Sequence, residues 1–176
     1  MNKGLVQIYT GDGKGKTTAA MGLAIRAAGN GLTVRIFQFC KNSPSGELKS
    51  LALIDNIQVA RADMTTTKFV WDLNPEEKAA WIEAQQALFD EACEAACSKD
   101  VDLVILDEAL GALHSGALDI ASISYLMDHR NPGTELVLTG RAAPDKLLAK
   151  ADYVTEMRAI KHPYEDGVHA RKGIEY

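Results

Sequence analysis

Along the chain, short apolar runs alternate with longer stretches of helical periodicity. Leu5 to Tyr9 is an apolar run that stops at a glycine-rich turn, Gly11 to Gly15. Thr17 to Ala28 follows with helix-forming residues, closed by Gly29 and Gly31. Thr33 to Phe39, rich in β-branched and aromatic residues, reads as a second strand and Ile57 to Ala60 as a short third one. Asn74-Pro75-Glu76-Glu77 is a helix start: a capping side chain, proline at the first helical position, then acids against the helix dipole. That helix is expected to run to about Ser98, with Trp81, Ile82, Gln85, Leu88, Phe89, Ala92, Cys93 and Ala96 on one face. Val101 to Leu106 is too apolar for a strand exposed on one side. Asp119 predicts the cap of a helix reaching His129, and Asn131-Pro132-Gly133 turns the chain into a strand over Glu135 to Thr139. A short helix from Pro144 and a final strand around Tyr153 to Arg158 follow. Strands alternating with helices predict an α/β fold, a three-layer sandwich whose mostly parallel sheet is covered on both faces.

The length of 176 residues fits one domain, and neither repeats nor linkers interrupt it. With 47% apolar and 24% charged residues, the balance is that of a globular chain and argues against disorder. A formal net charge of −5 gives no global pull towards nucleic acid or an anionic membrane, so any anionic ligand needs a local positive site. No apolar run is long enough to cross a bilayer. Met1 to Tyr9 enters a strand-like run at once, so no signal peptide is expected. Cys40, Cys93 and Cys97 are odd in number and lack a disulfide or zinc pattern, so a reducing, cytoplasmic setting is expected.

The richest chemistry lies in Thr10-Gly11-Asp12-Gly13-Lys14-Gly15-Lys16-Thr17-Thr18, between a strand and a helix. Glycines let successive backbone N–H groups turn inward and approach phosphate oxygens closely. The helix beginning near Lys16 adds the positive end of its dipole. Lys16 brings a full positive charge, and the Thr17 hydroxyl suits magnesium. The usual phosphate-loop pattern, G-x-x-x-x-G-K-[ST], opens on glycine where this chain has Thr10, and Gly11 is placed to relax the same bend. The competing reading is a glycine-rich turn that binds nothing. Lys14 reads either as a second phosphate charge or as a solvent-facing lysine.

A second acidic element completes the grip. Val101 to Leu106 ends in Asp107-Glu108, and an apolar strand ending in acids is what a P-loop fold uses to reach the magnesium, directly or through water. Both acids are candidates, and an exposed acidic turn is the alternative. The fold expected from these two elements is a P-loop NTPase-like sandwich.

A P-loop does not identify a reaction. However, Tyr9 to Ala20, including the unusual Thr10, resembles the phosphate loop of the ATP:corrinoid adenosyltransferases. Later pieces are similar to the same family in the same order: Gln38-Phe39, Phe69-Val70-Trp71-Asp72, Leu106-Asp107-Glu108 and Thr139-Gly140-Arg141. The tail adds Lys161-His162-Pro163-Tyr164, Gly167, Ala170 and Gly173-Ile174-Glu175-Tyr176, so the likeness covers nearly the whole chain. It implies that a cobalt(I) corrinoid attacks the 5′ carbon of ATP, so that the adenosyl group moves to cobalt and triphosphate leaves. It implies further that ATP lies along the loop in reverse, that Arg26 stands near the nucleotide, and that the enzyme is a homodimer served by an electron-donating reductase or flavoprotein. Arg26 also reads as an ordinary surface arginine. Arg141 reads as a phosphate or corrinoid contact or as an ion-pair partner.

Met64 to Asn74 is polar and threonine-rich except for Phe69, Val70 and Trp71. If this stretch is extended, Phe69 and Trp71 point to the same side. By resemblance they would cover the lower face of the corrin ring and keep out the axial ligand and water, leaving cobalt easier to reduce. A hydrophobic clip holding a long loop to the core is the alternative, and Met64 reads as packing. The site expected from all this comprises Gly11 to Thr18, Arg26 and Arg141 for ATP, Thr17, Asp107 and Glu108 for magnesium or manganese, and Lys16, Thr17, Phe69 and Trp71 for the reaction. His114, His129, His162 and His169 show no metal-ligand spacing, and Cys93 and Cys97, one helical turn apart, read as buried.

Two rival functions remain open in the sequence. A small P-loop kinase would need a base near its acceptor and arginines on a mobile lid; Arg61, Arg130 and Arg158 are scattered instead. A non-catalytic ATP-binding module is the other.

Overall fold

The computed structural model describes residues 3–41, 44–62, 68, 70–163 and 167–175. Six strands among them, β1 (Val6–Thr10), β2 (Val34–Gln38), β3 (Ile57–Arg61), β4 (Leu103–Asp107), β5 (Glu135–Thr139) and β6 (Tyr153–Glu156), form one sheet. Its order is β3-β2-β4-β5-β1-β6 and every pair is parallel. The helices are α1 (Lys16–Gly29), α2 (Gly46–Leu51), α3 (Pro75–Cys97), α4 (Ala109–His114), α5 (Ile120–His129) and α6 (Asp145–Leu148).

Strand periodicity divides the core between the two faces of the sheet. Val34, Ile36, Leu103, Ile105 and Val137 pack with Ala20, Met21 and Ala24 of α1. The alternate residues Phe37, Phe39, Val104, Leu106, Leu136 and Leu138 belong to the other layer, with Trp81, Leu88 and Phe89 of α3, Leu110 of α4 and Ile123 of α5. All five residues of β4 are buried, as the unbroken apolar run predicts. At the sheet edge β6 leaves all four of its residues exposed.

Local signals set the long helix. The Asn74 side chain accepts from the Glu77 amide and the Glu77 carboxylate accepts from the Asn74 amide, both at 2.9 Å, a reciprocal capping box with Pro75 behind it. Asp119 caps α5 through the Ser122 amide. The helices α2 and α4 were not expected; each has only 6 residues, too few for a periodic pattern. Residues Val70–Asp72 form a 3₁₀ turn rather than an extended segment. Met64, Phe69, Tyr164 and Tyr176 lie outside the described residues.

This order places the C-terminal ends of β2, β4, β5 and β1 in a row. In open α/β sheets that edge is where ligands bind. At the far end, the Arg130 guanidinium donates to the carbonyls of Met127 (2.6 Å), Gly4 (2.8 Å) and Thr134 (3.0 Å) and so serves the framework. No helix among the described residues is long and apolar enough to cross a membrane.

Because the capping box satisfies two helix-end amides, Asn74→Ala is expected to lower stability by about 1 kcal/mol. Urea unfolding followed by far-UV circular dichroism measures it.

Candidate nucleotide site

The loop after β1 is shaped by a neighbour as well as by its own glycines. Gly11 and Gly15 have φ of 101° and 116°, a region that disfavours other residues. A Cβ on Gly11 would lie 2.3 Å from the Met157 carbonyl oxygen, and one on Gly13 would lie 2.7 Å from the Met157 oxygen and the Arg158 carbonyl carbon. The segment leaving β6 therefore presses directly on the loop. It is also bonded to it: the Gly13 amide donates to the Met157 carbonyl (2.7 Å), the Met157 amide to the Thr10 carbonyl (2.8 Å), and the Ala159 amide to Asp12 Oδ1 (3.2 Å). The Gly13 amide is thus committed within the protein, which differs from the expectation that the loop amides all turn inward.

The helix α1 starts after Gly15 with no side-chain cap. The amides of its first turn have no intrahelical acceptor, and the positive end of a 14-residue helix dipole opens onto the loop. Lys16 curls back, its Nζ donating to the carbonyls of Gly11 and Gly13 at 2.7 Å each. Partial burial pulls the Lys16 ammonium below its ordinary value, while the Glu108 charge acts in the opposite direction.

Asp107 is the centre of the acidic end. Its side chain is fully buried at the last position of β4. Oδ1 accepts from Thr17 Oγ1 and Thr139 Oγ1, both at 2.8 Å. Oδ2 accepts from Gln38 Nε2 (3.1 Å) and from Lys41 Nζ (2.6 Å). Gln38 is Asp107's partner in the β2–β4 register, and its Oε1 in turn accepts from Arg61 Nε and a terminal guanidinium nitrogen at 2.8 and 2.6 Å. Neither Gln38, Thr139 nor Lys41 was among the expected site residues. The first two had appeared only as pieces of a likeness.

The next residue is aimed elsewhere. Glu108 has φ 60°, a left-handed conformation that is costly for a residue with a Cβ. Its amide donates to Thr139 Oγ1 (2.9 Å), and a Cβ at Gly111 would stand 2.8 Å from Glu108 Oε1, so Gly111 makes room for the carboxylate. Burial pushes the Glu108 carboxyl up first, the Asp107 charge second, against Lys41, Lys16 and Arg141. Asp107 therefore bonds the loop hydroxyl while Glu108 lines the open space beside it.

That space is an open hollow of about 420 Å³ that brings together Asp12 to Thr18, Glu108 and Arg141 from the expected set, joined by His162, Ile174 and Glu175 from the tail. Lys14 is paired with Glu175 at 3.0 Å, and Glu175 is held down to about 2 by Arg171, with Lys14 contributing. Arg26 is not among the lining residues; it sits exposed in the last turn of α1, ten residues beyond Lys16, roughly 15 Å along the helix. Trp71 is also outside the lining and is 74% exposed on its 3₁₀ turn. Gly140, with φ 143°, lets the chain pass Leu110 before Arg141; a Cβ there would lie 2.6 Å from the Leu110 Cβ.

The donors suit a hard divalent cation. Thr17 Oγ1 and Asp107 Oδ1 are 2.8 Å apart and the Glu108 carboxylate shares the same hollow with Lys16. Magnesium is typically held by such a sparse oxygen set together with substrate phosphates. Among the described residues there is no larger His/Cys/Asp/Glu cluster, and Cys40, Cys93 and Cys97 are free thiols.

A parallel sheet with a glycine loop between β1 and α1, carrying Lys16 and Thr17, and with a buried acid on a nearby strand bonded to Thr17, defines a P-loop nucleotide-binding protein. Comparison with known proteins narrows the class. The chain belongs to the family described as ATP:corrinoid adenosyltransferase BtuR/CobO/CobP, whose model matches residues 2–176. It is similar to the corrinoid adenosyltransferase of Escherichia coli K12, with 32% identity over 99% of this chain and 86% of that protein. It is likewise 32% identical to the corrinoid adenosyltransferase of Pseudomonas aeruginosa, over 99% of this chain and 84% of that one. The enzyme named corrinoid adenosyltransferase CobA in Salmonella typhimurium gives 32%, over 99% and 86%.

The raised carboxyl of Glu108 predicts a pH signature. Its protonated form is favoured by folding, so this contribution is full below the ordinary value of 4.5 and is lost as pH rises through the raised one. Glu108→Gln is therefore expected to be more stable than wild type in chelator at about pH 8, with the gap closing towards acid pH. Urea titrations across pH read it.

Proposed function

We propose that this chain transfers the 5′-deoxyadenosyl group of ATP to the cobalt(I) of a corrinoid substrate and releases triphosphate. The observation that carries the reading is the loop: the head of α1, Lys16 and Thr17, the last bonded to the buried Asp107, border one hollow in a chain whose family is that of the ATP:corrinoid adenosyltransferases. In this transfer the bond from C5′ to its phosphate oxygen breaks as the cobalt–carbon bond forms, and both bonding electrons of the former leave with the triphosphate. Negative charge grows on that leaving group. Lys16 needs only to release the carbonyls of Gly11 and Gly13 to meet it, while the helix amides are already in place. Magnesium or manganese, held by Thr17 and Asp107 with Glu108 alongside, would supply further countercharge to the phosphates. Arg141 adds a cation on the same wall. Cobalt(I) carries no proton, so the transfer asks for no general base.

ATP is taken to lie in reverse along the loop, with C5′ at the reacting position. The same reading treats residues 1–176 as one domain acting in the cytoplasm, where free thiols such as Cys40 persist. A homodimer and an electron-donating reductase or flavoprotein belong to it as partners. Phosphoryl transfer by a small kinase is disfavoured by the arginines: Arg130 is tied to three carbonyls at the opposite end of the sheet and Arg61 to the buried Gln38. Neither stands on a lid.

The deciding experiment supplies pre-reduced cobalt(I) corrinoid and ATP and identifies the phosphate product. Triphosphate with a photolabile adenosyl–cobalt bond is expected; ADP would overturn the reading. Lys16→Ala is expected to cut turnover by at least about 10²–10³-fold, the usual effect of losing one preorganised donor at a developing anion.

Trp71, exposed on its turn, offers an apolar ring with no lone pair to a flat ligand, which suits covering one face of the corrin. Arg26 is left as a surface residue in this reading, and Phe69 is proposed alongside Trp71 on the likeness alone. Trp71→Ala is expected to leave ATP binding intact and slow the reaction from cobalt(II) while sparing that from chemically prepared cobalt(I). Equal loss from both starting states would remove the face-covering role.

A further inference from the structure

Lys41 stands in a position that the nucleotide-binding reading does not use. After β2, Phe39 continues the ladder by donating to the Asp107 carbonyl (2.9 Å), and then Cys40 turns the chain with φ 56°. The Cys40 amide is caught by Gln85 Oε1 of α3 at 3.0 Å, so the bend is anchored in the core. The bend returns the Lys41 side chain over the sheet edge, where Nζ lies 2.6 Å from Asp107 Oδ2 and 3.4 Å from Thr17 Oγ1. Among the described residues, this is the ion pair whose acid is wholly buried, whereas Lys41 keeps 27% of its side chain exposed.

We propose that Lys41 is a built-in stand-in for the divalent cation: its ammonium holds the Asp107–Thr17 position whenever no metal is bound and is displaced when the metal arrives. The proposal rests on the reading of Asp107 and Thr17 as cation donors. Asp107 already accepts four hydrogen bonds, so a cation can take a place there only if one donor yields. Gln38 and Thr139 are fully buried and Thr17 stays as a donor to the cation, which leaves Lys41, the one partially exposed and charged member. Its displacement exchanges one positive charge for two beside Asp107 and Glu108. The freed ammonium, on a flexible four-carbon stem anchored at Cys40, then has the incoming polyphosphate as its nearest new anion. Lys41 would thus be a positioning residue that keeps the buried acid paired at every stage and makes metal and nucleotide entry mutually dependent.

The test is Mn²⁺ binding without nucleotide, followed by the electron paramagnetic resonance signal of free Mn²⁺, for wild type, Lys41→Met, Lys41→Gln, Asp107→Asn and the double variant Lys41→Gln/Asp107→Asn. Removing the competing ammonium is expected to tighten Mn²⁺ binding by about tenfold or more, within the range common for coupled ligands, and Asp107→Asn is expected to abolish that gain. Lys41→Gln keeps a donor for Asp107 and guards against failure of the Met variant to fold. On the wild type itself, amine acylation read by mass spectrometry is expected to show Lys41 protected in chelator and more reactive with Mn²⁺. Unchanged or weaker Mn²⁺ binding in both Lys41 variants, with Asp107→Asn still lowering wild-type binding, would overturn the stand-in role and leave the metal site standing. If Asp107→Asn changed binding in neither background, the cation site itself, and with it this proposal, would fall.

Discussion

The structure is organised around one buried charge. The Asp107 carboxylate sits at zero exposure and accepts from side chains of α1, β2, β5 and the loop after β2, so it joins four separate segments at the ligand edge of the sheet. A carboxylate removed from water is tolerated only when it is fully paired and hydrogen-bonded, and stripping one partner from such a group costs about 3–5 kcal/mol. Each donor is therefore constrained by the same requirement, and together they fix where Thr17 stands relative to the acidic strand. Gln38 extends the network to Arg61, whose guanidinium reaches the buried acid through a neutral relay rather than by direct contact.

Backbone strain is spent at the two strand ends flanking that charge. Cys40 and Glu108 both adopt left-handed conformations, Glu108 directly after β4 and Cys40 two residues past the end of β2, at the ligand edge of the sheet. At Cys40 the turn brings Lys41 back onto Asp107; at Glu108 it separates two consecutive acids so that one binds inward and the other borders the hollow. The cost is of order 1–3 kcal/mol per residue and is offset by Gln85, Thr139 and the room left by Gly111.

How much of this could be read in the chain follows from the range of the interactions. The capping box at Asn74, the cap at Asp119 and the fully buried β4 were legible because their signals lie within a few residues, and Asp12 to Thr18 with Glu108 and Arg141 do meet in one hollow. The partners of Asp107 were not legible: Gln38 and Lys41 are 69 and 66 positions away, and only the β2–β4 register brings them near. Nothing about a cysteine announces a left-handed turn, so nothing in the chain singled out Lys41. The extended reading of the aromatic stretch gave way at Val70–Asp72 to a single 3₁₀ turn, which is too short to leave a periodic trace. Arg26 stands ten residues beyond Lys16 on a helix the sequence already suggested, so its offset of roughly 15 Å along the axis follows from the helical rise.

The glycines of the loop satisfy two constraints at once, and this bears on how the site handles charge. Gly11 and Gly13 are needed for the close approach of Met157 and Arg158 even before any phosphate is considered, so the loop and the strand edge at β6 behave as one piece. The tail that follows brings Glu175 onto Lys14. The Lys14–Glu175 pair lines the hollow, the Lys41–Asp107 pair meets it only through Thr17, and the two differ in energetics. Lys14 keeps 53% of its side chain exposed, and exposed pairs contribute little, so an incoming phosphate can claim that lysine at small cost. The Lys41–Asp107 pair involves a wholly buried acid and is costly to open without a replacement cation. A protein of net charge −5 thus borders its hollow with an easily claimed Lys14 and keeps its inner acid paired, and under the proposed exchange cation and polyanion would enter as matched charge.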